Sequence, residues 1–126
     1  MKLYDLYSGT HYDLTDMDMD QDLKDAFSLA KYLAPDLVAA ANESGAIFAT
    51  VTRLDGAFGL RGTQTEFPTQ GGLAGLVKTA AIEWENVCCH AIDVQPDWSD
   101  NREIASAVVK EVVSAAPIEI GLDCGK

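Results

Sequence analysis

Gly71–Pro96, GGLAGLVKTAAIEWENVCCHAIDVQP, is the stretch on which the fold turns. Leu73, Leu76, Val77, Ala80, Ala81 and Trp84 recur at intervals of three and four, which puts them on one broad face of an α-helix. Glu85-Asn86 breaks that rhythm, and Val87 to Val94 reads as a strand entering a buried sheet. A helix that feeds an apolar strand across a two-residue turn is the second half of a βαβ crossover.

Working outward, the C-terminal side repeats the pattern. Pro96-Asp97-Trp98-Ser99-Asp100 is a loop in which Ser99 or Asp100 can cap a following helix. Ile104, Ala105, Val108, Val109, Val112 and Ala116 keep helical spacing up to Pro117, and Ile118 to Leu122 reads as a short strand. On the N-terminal side, Leu23, Ala26, Phe27, Ala30, Leu33, Leu37, Val38 and Ala41 form another helical stripe. Pro35 either kinks that helix or starts a second one. Gly45 is free to take the left-handed conformation that ends it. Ala46 to Val51 (AIFATV) is uniformly apolar and predicts a parallel strand covered on both faces. The order α–β–α–β–α–β implies a parallel sheet with helices on its faces. Three strands are few for such a layer, which suggests a segment of a larger α/β unit. Residues 1–21 read as an irregular N-terminal segment and 22–126 as a single domain.

Composition narrows the function classes. The chain has 126 residues, 48% of them hydrophobic, enough for a modest core. A net charge of −11 argues against binding nucleic acid or an anionic membrane and favours solubility. No apolar run is long enough to span a bilayer, and no signal-peptide pattern opens the chain. Three cysteines, Cys88, Cys89 and Cys124, are an odd number with two adjacent, unlike a secreted disulfide framework. A reducing cytoplasm is the expected setting.

The motifs that could carry chemistry are incomplete. Asp16, Asp18, Asp20 and Asp22 are spaced like the opening of an EF-hand loop. Gln21 stands where glycine is needed and Phe27 where the bidentate glutamate is needed, so carboxylates at a helix N-terminus are the better reading. Thr52 to Thr69 holds Gly56, Gly59 and Gly62 as G-x-x-G-x-x-G, not the dinucleotide fingerprint, and Pro68 separates it from the helix. A surface loop with unusual backbone angles accounts for it. His11 and His90 make no local metal motif. Cys88, Cys89 and His90 alternate across a strand, which favours packed core cysteines over a thiolate site. Lys78 and Glu83 read as solvated helix charges, and Trp84 as a packing anchor.

With helix and strand in place, TQGGLAGLVKTAAIEWENVCCHAIDV resembles the later part of a short-chain dehydrogenase/reductase domain. More narrowly, VTRLDGAFG, the GGLAGLVKTAAIEW helix and AIDV resemble the ketoreductase region of polyketide synthases, nearest to the iterative synthases of polyunsaturated fatty acids and enediynes. The resemblance covers about Leu23 to Leu122. It implies the structural half of a two-part ketoreductase: an α/β, truncated Rossmann-like, three-layer fold with a small, mainly parallel sheet. It further implies a catalytic companion in the same polypeptide that binds NADPH and reduces β-ketoacyl thioesters. Active members use Tyr-x-x-x-Lys, in which the phenol protonates the nascent alkoxide and the lysine lowers its pKa and holds the ribose. Alignment through Leu76-Val77-Lys78 places Glu66 at the tyrosine position and Gln70 at the lysine position. Glutamine carries no charge to depress a neighbouring pKa, and none of Tyr4, Tyr7, Tyr12 and Tyr32 has a lysine four residues later.

The expectation is therefore a non-catalytic scaffold with no catalytic, cofactor or metal residues of its own. The competing classes are a stand-alone atypical NAD(P)-dependent reductase and a flavodoxin-like binding module. The resemblance implies that the two helices meet the catalytic half. In isolation they would join two copies as a homodimer, with Phe27, Leu73, Leu76, Val77, Ala80 and Trp84 as the interface.

Overall fold

The structure of the chain, a computed structural model, describes residues 2–4, 11–13, 19–62 and 68–125. In order the elements are β1 (Lys2–Tyr4), β2 (His11–Asp13), α1 (Met19–Glu43), β3 (Ile47–Thr52), α2 (Gly71–Glu83), β4 (Cys88–Val94), α3 (Asn101–Val112) and β5 (Glu119–Leu122). A 3-10 turn, Pro68–Gln70, leads into α2. Strands β3, β4 and β5 form a parallel sheet in that order, with Ile47 paired to Cys88 and Ile92 to Ile120. The fold is α/β in three layers, a truncated Rossmann-like arrangement around a small parallel sheet.

Alternate residues of each strand serve opposite faces. One face, with Cys89 and Ala91 buried and Phe48 packed against them, lies under α1 and α2 through Leu37, Val38, Ala41, Ala74, Val77 and Ala80. The other, with Ile92, Val94, Ile120 and Leu122, lies under α3 and Trp98. Burial of each of Val77, Ile92 and Val94 contributes about 1.5–3 kcal/mol. Because the strands follow one another in a single direction while α2 and α3 lie on opposite faces, the two crossovers have opposite hands. One of them is of the hand seldom seen in parallel sheets.

The local signals act largely as the residue types predict. Gly45, at φ +103°, closes α1, where the N–H groups of both Ser44 and Gly45 reach the Ala40 carbonyl. Asp100 caps α3, its carboxylate accepting from the N–H groups of Arg102 and Glu103. Asn86, in the left-handed region at φ +65°, turns the chain from α2 into β4 and donates its side-chain N–H to Asn42.

One open alternative is decided and three expectations need correction. Of the two readings at Pro35, a second helix is excluded: α1 runs through the proline, which lies on the exposed side. The N-terminal segment is not wholly irregular, since β1 pairs antiparallel with β2. Strand β3 is not covered on both faces. It is an edge strand, and Ile47, Ala49 and Val51 are exposed because the layer containing α3 packs on β4 and β5. Of the cysteines, only Cys89 is in the core, while Cys88 and Cys124 are exposed.

Candidate functional site

In open α/β sheets ligands bind beyond the carboxyl ends of the strands. Here that end is occupied by the chain's own segment Arg53–Gly62, organised around two buried aspartates. Asp93, on the penultimate position of β4, has no solvent-accessible surface. Its carboxylate accepts hydrogen bonds from the Thr52 hydroxyl (2.7 Å) and from the N–H groups of Leu54 (2.7 Å), Asp55 (3.2 Å) and Phe58 (2.9 Å). Asp55, also buried, accepts from the N–H groups of Ala57 (2.8 Å), Gly59 (2.8 Å) and Arg61 (2.9 Å). A buried carboxylate is tolerated only when donors replace its water, and here backbone donors do so.

The sequence of the loop follows from this wrapping. Gly56, at φ +75°, lies so close to the end of the sheet that a Cβ would stand 3.0 Å from the Leu122 carbonyl oxygen. Across from it, a Cβ at Gly121 would collide with the Gly56 carbonyl oxygen, so β5 also needs glycine there. Phe58 adopts φ +57°, a conformation that costs a non-glycine residue about 1 kcal/mol, and its bond to Asp93 offsets that cost.

Electrostatics favour the charged latch. Burial alone would raise the pKa of Asp55. The N–H groups of Gly59, Arg61 and Ala57, together with the Arg61 charge, outweigh burial and hold the carboxyl below its usual 3.8. Arg61 also pairs with Asp123 just past β5 (3.0 Å), tying the far end of the loop to the sheet. At the near end, the Arg53 guanidinium donates to the carbonyls of Gln95, Pro96 and Trp98, at 3.3, 2.8 and 2.6 Å. Those residues begin the crossover into α3, so Arg53 anchors the turn that sends α3 to the opposite face from α2.

Gln70, which the ketoreductase resemblance would align with a lysine, is buried just before α2, where its side-chain oxygen accepts the Arg53 N–H (3.1 Å). It braces the loop to the helix. Glu66, which the same resemblance would align with a tyrosine, lies outside the described residues. Val77 and Ala80 are buried against the sheet, while Leu73, Leu76 and Trp84 are half-buried and Phe27 is exposed. Trp84 sits edge-on to Phe48 with ring centroids 5.1 Å apart, the anchor its position at the helix end suggests. Lys78, expected to be solvated, reaches Glu119 on β5 at 3.0 Å. Burial, and then the adjacent Cys88, push the Cys89 thiol up, so it packs as a protonated, apolar group. His90 is buried, with Nδ1 3.4 Å from the Pro117 carbonyl.

Asp20 and Asp22 of the acidic series fall in the first turns of α1, and Asp16 and Asp18 lie outside the described residues. Among the described residues no group of three or more His, Cys, Asp or Glu side chains could hold a metal ion, and no helix is long and apolar enough to cross a membrane.

Sequence reasoning passed over Asp93 and Asp55, although one signal was present: an aspartate between Ile92 and Val94 in a buried strand must be met by donors from elsewhere. Comparison with protein-family models, curated proteins and solved structures finds no match.

Proposed function

We propose that this chain is a non-catalytic structural subdomain of a polyketide or fatty-acid synthase ketoreductase. It braces a catalytic half that reduces β-ketoacyl thioesters with NADPH in the cytoplasm. The observation that carries this reading is the occupied mouth of the sheet. The N–H groups that would line a phosphate-binding loop are turned onto Asp93 and Asp55, two fixed negative charges placed where a pyrophosphate would need positive potential. Gln70 supports it, since its side chain is committed to the Arg53 N–H.

The surface offered to the catalytic half is the α1–α2 face. An open groove of about 610 Å³ runs there, lined by Leu23, Lys24, Phe27, Ser28, Gly72, Leu76 and Thr79. Gly72 lets the two helices approach, because a Cβ there would meet the Leu23 side chain. Exposed Phe27 and Ile82 and half-buried Leu76 supply apolar surface of the kind that marks an interaction site.

Titration of NADPH fluorescence with the purified chain tests the proposal. We expect no saturable change at cofactor concentrations up to about 1 mM, the upper end of ordinary enzyme affinities. Saturation in the low micromolar range would overturn it in favour of a self-sufficient reductase.

A further inference from the structure

From the outer edge of β3 we infer that two copies of this chain join by antiparallel pairing of β3 with β3 across a twofold axis at Ala49, fusing two three-stranded sheets into one of six. The inference does not depend on the ketoreductase reading. In a strand the N–H and C=O of one residue point the same way and alternate from residue to residue. Ala46 directs its carbonyl to β4, where it accepts from Cys88 at 3.0 Å, so Phe48, Thr50 and Thr52 also serve β4. Ile47, Ala49 and Val51 therefore point their backbone groups outward, where no strand lies among the described residues. At Arg53 the same outward N–H is taken by Gln70, so the open run ends there.

That run has no proline, no charge and no bulge, three of the devices that normally blunt a sheet edge. It is also self-complementary. With the axis at Ala49, Ile47 of each copy faces Val51 of the other, and the small Ala49 faces itself. Each facing pair exchanges two backbone hydrogen bonds. The side chains of these residues share one face and are exposed, 46% for Ile47 and 49% for Val51, so pairing joins two apolar strips through β-branched cross-strand contacts. The net charge of −11 opposes association, but at physiological salt it is screened beyond about 8 Å.

Sedimentation equilibrium combined with residue-resolved amide exchange tests the inference on the whole chain. We expect a monomer–dimer equilibrium in which the amides of Ile47, Ala49 and Val51 gain protection with concentration, while those of Phe48 and Thr50 are protected throughout. Ala49→Pro removes an outward N–H without touching the β4 ladder and should raise the dissociation constant at least about tenfold, a change of 1.4 kcal/mol. Val51→Lys, at an exposed position, should do the same while leaving the circular dichroism spectrum unchanged, so a misfolded proline variant does not decide the matter. A monomer at all concentrations would overturn the inference. So would a dimer in which the three outward amides stay unprotected, which would place the contact on the helices or elsewhere.

Discussion

At the carboxyl end of the sheet, the backbone N–H groups of Leu54, Asp55 and Phe58 converge on a carboxylate that never meets water. A few residues earlier in the same chain, those of Ile47, Ala49 and Val51 face no strand among the described residues. The two regions are built from one continuous segment and differ in what the fold brings to them. Asp93 arrives from β4, and a buried charge can be kept there only by recruiting every donor in reach. At the β3 edge no strand among the described residues takes up these donors, which is why we infer that a second copy does. A mouth closed by the chain's own carboxylates suits a brace better than a cofactor seat, and an open edge suits a piece of a larger assembly.

The hardest blow to this contrast is Asp93→Ala. It leaves a hydroxyl and three N–H groups without their acceptor in a buried site, and each unsatisfied donor costs about 1–3 kcal/mol. Urea denaturation should show a loss of about 4 kcal/mol or more, at the extreme of single substitutions. A loss below about 1 kcal/mol would mean that water reaches these groups and that the mouth is not closed.

Asp55→Asn is the gentler counterpart. With its pKa held below 3.8, the Asp55 contribution is fully present above the unfolded-state value near 3.9 and is lost as pH falls through the lower folded-state pKa. The urea midpoint of the native chain should therefore fall in acid. The Asn variant should start about 2 kcal/mol less stable at neutral pH and lose less on acidification. Parallel pH profiles for the two proteins would remove Asp55 from the latch.

Much of the architecture could be read before any coordinates. The Leu73–Trp84 stripe, the Glu85-Asn86 break and the apolar run into Val94 lie within about two residues of α2, the turn and β4, because each is set by local periodicity. Asp100 and Gly45 act where their residue types predict. The latch was not legible in the same way. Leu54 and Asp93 are separated by 39 residues, and nothing local in VTRLDGAFG names its acceptor. Only the unease of one aspartate in an apolar strand points there. Nor could AIFATV reveal its exposure. A run of apolar residues records that a strand is suited to burial, while whether a helix lies above it depends on the opposite hands of the two crossovers. The Leu23–Ala41 stripe runs across Pro35, so the sequence leaves one helix as one of two readings; the choice between them depends on tertiary packing, and a proline on the exposed side leaves the stripe intact.

The central claim is that the carboxyl end of the sheet is sealed by its own loop, and residue-resolved amide exchange on the dilute chain at neutral pH measures it directly. If the claim holds, the amides of Leu54 and Phe58 exchange only with global unfolding, as slowly as those of Cys89 and Ala91 in the core, although they lie in a loop. The amide of Ala49, in a regular strand, exchanges orders of magnitude faster under the same conditions. Rapid exchange at Leu54 and Phe58, at the rate of an open glycine-rich loop, would contradict it.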